Sequence, residues 1–212
     1  MAGTITALVG QKKNKERVSV YINDQFAFGV TLNAALNLKK GQYLTDDEVE
    51  SLKFNDAIAK SYQRALHYLS FRPRTIQEIR TYLEDKDVVP EVAQTVIDRL
   101  SEQHYVDDTE FARLWVENRI RHNPKGERAL RYELRRKGLG QPEIDQALEA
   151  LDEETLAWQA IQKRLSQWSR LDALTFRKKL SNFLAYRGFS YDTIEVIFNK
   201  AWSAQNSDEI DG

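Results

Sequence analysis

From residue 56 onward, apolar residues recur at intervals of three or four, which places them on one face of an α-helix. Ile58, Ala65 and Leu69 form one such face. Residues that favour helix starts and helix ends divide this part of the chain into short helices joined by brief links. The pattern predicts that everything after the first quarter of the chain is α-helical.

The predicted helices repeat along the chain. Leu184–Phe189 aligns with Leu134–Leu139 at an offset of 50 residues, and Leu134–Leu139 aligns with Leu83–Val88 at an offset of 51. Each copy ends a helix with a basic residue, continues with Gly or Asp, and then places an apolar residue. Gly at this position supplies the left-handed backbone that commonly ends a helix. The spacing predicts three tandem three-helix repeats, which stack into an elongated, curved solenoid.

The first 55 residues have the short, β-branched and apolar runs of strands instead. Thr4–Val9 and Val18–Ile22 are two such runs, and a third surrounds Phe26. Asn23 and Asp24 lie between the second and third runs and predict a two-residue hairpin turn, because both residue types tolerate positive φ. We therefore expect a small three-stranded antiparallel sheet.

A short helix follows this sheet. Thr45 with Glu48 forms a capping box, which predicts a helix that ends near Phe54. The whole chain is thus predicted to be mainly α, with a small antiparallel β-sheet module and a short helix before the repeats. The predicted segments are 1–55 (sheet module and helix), 56–107, 108–151 and 152–203 (the three repeats), and 204–212 (a disordered acidic tail).

Composition excludes several classes of function. The chain has no cysteine, so disulfides, thiolate metal sites and cysteine nucleophiles are impossible. Its three histidines, His67, His104 and His122, lack metal-site spacing, and no phosphate-binding glycine loop or serine elbow is present. We expect no metal, no cofactor and no enzymatic activity. No signal peptide or apolar membrane span is found either, which predicts a cytoplasmic protein without membrane contact.

The formal charge of −1 conceals strong local blocks. Phe111–Gly140 carries a net charge of +6, and Gln141–Thr155, which follows directly, carries −6. Within the basic block, Arg128, Arg131 and Arg135 are predicted to share one helix face, opposite the apolar residues. Such a stripe suits a nucleic-acid backbone or an acidic protein groove. The alternative is an ordinary solvated face whose arginines pair with neighbouring glutamates.

Two further basic clusters accompany this stripe. One flanks Pro73 before a predicted helix start, and the other lies in the last repeat. The candidate residues for binding a nucleic acid or a protein filament are Arg72, Arg74, Arg119, Arg121, Arg128, Arg131, Arg135, Arg136, Lys137, Arg177, Lys178 and Lys179.

Three consecutive segments resemble signatures of the RecX family. They are ALHYLSFRPRTIQEI at 65–79, YVDDTEFARLWVENR at 105–119 and PKGERALRYELRRKG at 124–138. The second contains the Asp-Asp-x-x-Phe-Ala pattern of that family, and the third contains its Glu-Leu-x-x-Lys-Gly pattern. The resemblance covers roughly Lys60–Trp202.

The resemblance implies a bacterial, cytoplasmic regulator of the RecA recombinase. Such a protein lodges in the groove of the RecA–DNA filament and modulates, mostly by inhibition, filament growth, ATP hydrolysis and strand exchange, and so acts in homologous recombination, DNA repair and the SOS response. The resemblance also implies weak, salt-dependent binding to single- and double-stranded DNA, and we expect a monomer. Two alternatives stay open: a helical-repeat adaptor for an acidic protein surface, and a simple non-specific DNA-binding protein.

Overall fold

In a computed structural model, which describes residues 2–207, the chain forms two compact units. The first unit contains everything up to Arg74 together with Glu78–Val106, and the second contains Thr75–Gln77 and everything described after Val106. The first unit holds the β-sheet and the helices that pack beside it. The second holds the remaining helices and the start of the helix that begins near Thr75.

The N-terminal sheet has four antiparallel strands in the order β3-β2-β1-β4, where three were predicted. The strands are β1 (Gly3–Gly10), β2 (Arg17–Ile22), β3 (Gln25–Thr31) and β4 (Tyr43–Leu44). The predicted hairpin is confirmed, since Asn23 and Asp24 have φ angles of 49° and 63° and Ile22 pairs with Gln25. The strand that was missed is two residues long, too short to show an alternating pattern.

The sheet buries its apolar face against the next helix. A four-residue helix, α1 (Leu32–Ala35), follows β3, and the long helix α2 (Asp46–Leu69) follows β4. The predicted capping box at Thr45 is present, because its hydroxyl accepts from the Glu48 amide and the Glu48 carboxylate accepts from the Thr45 amide. The prediction that this helix ends near Phe54 was wrong. Helix α2 is 24 residues long in total and ends at Leu69. The segment boundary predicted at residue 55 therefore lies inside it.

Nine helices, counting from α2, build the described part of the chain after the sheet. They are α2, α3 (Ile76–Glu84), α4 (Pro90–Glu102), α5 (Asp108–His122), α6 (Glu127–Arg136), α7 (Gln141–Leu148), α8 (Glu153–Trp168), α9 (Ala173–Tyr186) and α10 (Tyr191–Ser207). They group in threes, which confirms a mainly α fold of tandem three-helix repeats after a β module. The elongated, curved shape stays a prediction.

The repeated turn predicted from the sequence occurs three times. Asp87, Gly138 and Gly188 have φ angles of 57°, 83° and 83°. After Gly138, the Leu139 amide donates to the Leu134 carbonyl at 3.3 Å, and the other two turns have the equivalent bond. This is the Schellman motif, which satisfies the last carbonyls of a helix.

The end of the chain differs from the prediction of a disordered tail over 204–212. Helix α10 continues to Ser207, so 204–207 are helical. The rest of the predicted tail lies outside the described residues. The helix is long because its buried residues, Ile194, Ile197 and Ala201, continue the core of the third repeat, and the helical turns beyond them extend it at little further cost.

Candidate nucleic-acid and protein interface

Helix α6 presents a basic face to solvent. The helix is anchored by Leu130 and Leu134, both fully buried in the core of the second repeat. Its most exposed side chains occur at intervals of four, three and one residues, so they share the opposite side of the helix. We call this set the α6 basic face, and its members are Arg128, Tyr132, Arg135 and Arg136.

No arginine of the α6 basic face forms an ion pair with a carboxylate of the described residues. Arg128 donates to the Ala185 carbonyl at 3.1 Å, and Arg135 donates to the Gln141 side-chain amide oxygen at 2.9 Å. The guanidinium of Arg136 lies 5.8 Å from the centre of the Tyr132 ring. None of the three is in an ion pair within residues 2–207, although Asp145 interacts electrostatically with Arg135, and they lie beside Tyr132, a residue that is 63% exposed.

Arg131 does not belong to this face, although its sequence spacing placed it there. Its side chain is only 26% exposed, and its guanidinium binds the Glu127 carboxylate at 2.6 Å and also pairs with Asp145. Hydrogen bonds to Asp145 and Glu127 raise the pKa of Arg131. Asp145 belongs to the neighbouring helix α7, so the acidic block after Gly140 neutralises part of the basic block before it.

The predicted residue Arg119 belongs to a cluster around the Glu133 carboxylate. This carboxylate accepts from Arg119 at 2.8 Å and from the Trp115 indole at 2.8 Å, and it also pairs with Lys125. Desolvation raises the pKa of Glu133, but hydrogen bonds from Lys125, Arg119 and Trp115 outweigh it, so the net pKa is lowered. The guanidinium of Arg119 also lies 4.6 Å from the Trp115 ring. This cluster ties α5 to α6, and its charges are largely neutralised.

The first repeat holds the predicted pair Arg72 and Arg74. Arg72 forms two hydrogen bonds with the Glu78 carboxylate, at 3.0 and 3.1 Å. Arg74 lies over the Tyr68 ring at 3.9 Å, and that ring stacks on Tyr82 with a centroid distance of 4.0 Å. Arg72 therefore holds the first turn of α3, whereas Arg74 packs on α2.

The remaining predicted residues are scattered. Arg177 pairs with Glu195 at 2.5 Å, whereas Lys178 and Lys179 are exposed and have no acidic partner among residues 2–207. Arg121 is exposed, 3.7 Å from Glu117. Lys137 lies over the Trp115 ring at 5.2 Å. The structure thus brings together only part of the predicted set, on α6. Tyr132 was missed because the prediction considered only charged residues, although its spacing from Arg128 and Arg135 places it on the same helix face.

A recurring junction uses several of the signature residues. The Thr75 hydroxyl, before α3, donates to the Lys137 carbonyl at 2.7 Å. The Ile76 amide, at the start of the same helix, donates to the Asp108 carboxylate at 2.9 Å. Two hydrogen-bond donors at the start of α3 are thus satisfied, one by the turn after α6 and one by the start of α5.

The same junction recurs one repeat later. The Gly126 amide, before α6, donates to the Arg187 carbonyl at 3.0 Å, and the Glu127 amide donates to the Glu153 carboxylate at 2.6 Å. Arg187 corresponds to Lys137, and Glu153 corresponds to Asp108, each one repeat further along the chain. The signature residues at these positions therefore connect consecutive repeats.

Residues 2–207 form neither a metal-ligand cluster nor a membrane-spanning helix. Within residues 2–207, no group of His, Asp or Glu side chains has the arrangement needed to hold a metal ion. None of the helices in that range is both long and apolar enough to span a membrane.

Fold and surface together define a tandem three-helix-domain protein with an N-terminal β module and a basic helix face. Four family models match this organisation in order: the Regulatory protein RecX N-terminal domain at 3–45, and the first, second and third three-helix domains of RecX at 62–100, 107–148 and 152–197. The chain belongs to the RecX family of regulatory proteins. The match extends the resemblance found in the sequence to the β module.

Characterised relatives agree with this assignment. The chain is 30% identical to Regulatory protein RecX of Bacillus pumilus over 210 residues, which covers 97% of this chain and 80% of the relative. It is 32% identical to Regulatory protein RecX of Bacillus subtilis over 201 residues, which covers 92% and 76%. The chain therefore matches most of the length of both relatives.

Two crystal structures have the same fold. A regulatory protein RecX superposes with a TM-score of 0.76 at 28% identity and covers 94% of this chain and 100% of its own. RecX from Lactobacillus salivarius superposes with a TM-score of 0.65 at 25% identity and covers 69% of this chain and 97% of its own.

Proposed function

We propose that this protein regulates homologous recombination by binding the RecA–DNA filament, in its helical groove, and that it inhibits filament growth, ATP hydrolysis and strand exchange. The observation that carries the proposal is the α6 basic face. It presents three arginine charges without carboxylate partners in the described chain, next to an exposed tyrosine. Membership of a family of regulatory proteins supports a binding role.

Arginine and tyrosine suit a composite surface of protein and nucleic acid. The guanidinium fork matches both carboxylates and phosphates, and Tyr and Arg are enriched where binding energy concentrates. Tyr186, which is 91% exposed and follows directly on the residue that Arg128 contacts, can extend this surface. The protein then acts by occupying the filament as a monomer in the bacterial cytoplasm, without metal, cofactor or catalysis of its own.

The test is ATP hydrolysis by RecA on single-stranded DNA, titrated with the wild type and with Arg135→Glu/Arg136→Glu. Both side chains are exposed, so the variant should keep its fold. Two reversed charges should raise the half-inhibitory concentration at least tenfold, which is about 1.4 kcal/mol. Lys39→Glu/Lys40→Glu is the matched control, because it changes the net charge equally at two exposed lysines far from α6 in the sequence.

Titrating naked DNA and pre-formed filament in parallel separates the alternatives. Binding to filament much more tightly than to naked DNA supports the proposal. Equal affinity for both would indicate a simple DNA-binding protein, and negligible DNA binding at every salt concentration, with no effect on RecA, would indicate an adaptor for another acidic protein. ATP hydrolysis that stays unchanged at every concentration of the wild type would overturn the proposal.

A further inference from the structure

A groove of about 700 Å³ lies within the first unit, and none of its lining residues is among the candidate residues predicted above. It is formed by the loop between β1 and β2, the end of β3, the start of α1, the middle of α2 and one side chain of α4. We call it the N-terminal groove, and it is lined by Asn14, Glu16, Arg17, Thr31, Leu32, Asn33, Ala59, Lys60, Tyr62, Gln63, Arg64 and Arg99.

The lining chemistry is cationic and rich in hydrogen-bond donors. Four of the lining residues are Lys or Arg and only Glu16 is acidic, while Leu32 and Ala59 are the apolar members. Amide and hydroxyl groups, such as those of Asn33 and Gln63, supply uncharged donors between the cations. Phosphate oxygens accept hydrogen bonds from all of these charged and uncharged donors.

The cations of the groove differ in how they are held. Arg17 and Lys60 both pair with the buried carboxylate of Asp56, at 2.8 and 2.7 Å, so their side chains are fixed and together keep an excess positive charge. Arg64 and Arg99 form no ion pair within residues 2–207. The Arg17–Asp56–Lys60 cluster is positively charged, and Arg64 and Arg99 add two further positive charges. The groove therefore has a net positive electrostatic field.

Two of the charges lie one helical turn apart on α2, and further cations lie in elements that border the groove. Lys60 and Arg64 are four residues apart on α2, which is about 6 Å along a helix axis, and Arg99 of α4 also lines the groove. In the β1–β2 loop, whose Asn14 lines the groove, Lys12, Lys13 and Lys15 are exposed. Several cations together with neutral donors match the repeated phosphates of a polyanion better than a single small anion.

We propose that the N-terminal groove binds the sugar–phosphate backbone of DNA without sequence preference. The inference rests on the proposed function only in naming DNA as the polymer. It assigns naked DNA to the β module and α2, whereas the filament is assigned to α6. Its experiment uses naked DNA without recombinase, so failure of the inference and failure of the filament proposal are distinguishable.

The experiment measures the affinity of the full-length protein for a fluorescein-labelled oligothymidylate at three salt concentrations. Arg64→Glu/Arg99→Glu should bind at least fivefold more weakly than the wild type at the lowest salt concentration. If each arginine contacts one phosphate, the negative slope of log K against log salt should become shallower by about 1.4. The control Lys39→Glu/Lys40→Glu has the same net charge but changes residues outside the groove, and it should bind within twofold of the wild type.

Two results would overturn the inference. One is equal affinity of the groove variant and the control for naked DNA. The other is a loss of filament binding with naked-DNA binding unchanged, which would assign the groove to an acidic protein surface. Circular dichroism checks that the groove variant is folded.

Crosslinking tests the same inference without changing a charge of the groove. Because the chain has no cysteine, Asn33→Cys carries a thiol-linked photocrosslinker at one site of the groove. It should crosslink to the oligonucleotide, and Lys39→Cys, outside the groove, should do so far less. Equal crosslinking from both positions, or none from position 33, would contradict the inference.

Discussion

Gly188 lies in a turn where both the backbone conformation and the close packing of neighbouring atoms disfavour any side chain. Its φ of +83° is a conformation that L side chains rarely adopt. A Cβ at this position would also lie 2.4 Å from the Cβ of Ala129 and 2.5 Å from its amide nitrogen. Because one of these contacts is backbone, rotating a side chain cannot relieve it. The substitution Gly188→Ala therefore imposes two separate costs.

The magnitude follows from adding these costs. Left-handed backbone at an L residue costs about 1–2 kcal/mol, and overpacking a filled site costs about 1–3 kcal/mol. Alanine restricts the unfolded chain, which returns about 0.4–1 kcal/mol. We expect Gly188→Ala to lower the free energy of unfolding by about 3 kcal/mol, which in a chain of this length lowers Tm by about 6–12 °C.

Gly41→Ala is the matched control. Gly41 has a φ of +87°, and a Cβ there would meet nothing within 4 Å. The control incurs only the conformational cost and should lose about 1 kcal/mol. Urea unfolding followed by circular dichroism measures both variants, and tryptophan emission reports the unit that contains Gly188, because all four tryptophans follow Val106. A loss for Gly188→Ala no greater than that for Gly41→Ala would refute the packing argument.

Other substitutions test the ion pairs and the junction. Arg131→Gln should lower Tm by a few degrees, because it removes two ion pairs, yet leave affinity for the RecA filament within twofold in a binding titration. Thr75→Val should cost about 1–2 kcal/mol in urea unfolding by leaving the Lys137 carbonyl without this donor, whereas Thr75→Ser should cost much less. The folded pKa of Glu133 lies below its ordinary 4.5, so its stabilisation is present above that pH and lost as pH falls through the folded pKa. In the wild type, Tm should therefore fall as the pH is lowered through this pKa. Glu133→Gln should lack the part of that fall that comes from Glu133, as measured by Tm against pH.

Local signals explain why the repeats and turns could be predicted. The hairpin at Asn23 and the helix end at Gly138 depend on a few adjacent residues, and each has the positive φ that its residue type predicts. Apolar spacing likewise identified core positions such as Ile58 and Ala65, which are buried. These features need no knowledge of distant parts of the chain, because neighbouring residues determine them.

Long-range contacts explain the errors. Helix α2 was expected to end near Phe54, but Asp56 is buried and pairs with Arg17 from β2, an interaction 39 residues away along the chain. Arg131 has the correct helical spacing for the exposed face, yet Asp145 of α7 neutralises it. In both cases the mispredicted position has an ion pair with a residue of another element, and apolar periodicity carries no information about that partner.

The position of a repeat in the array accounts for one difference between its turns. In the second and third repeats the residue at the left-handed position is glycine, and a Cβ there would lie 2.4 Å from Gln77 or from Ala129, at the start of a helix of the preceding repeat. The first repeat has no three-helix repeat before it, and there the position is Asp87, which is exposed at a φ of 57°. Glycine is therefore needed for contact between repeats as well as for the turn. The Lys-Gly signature accordingly marks a junction, and residues that bind a partner are to be sought outside it, on surfaces such as the α6 basic face.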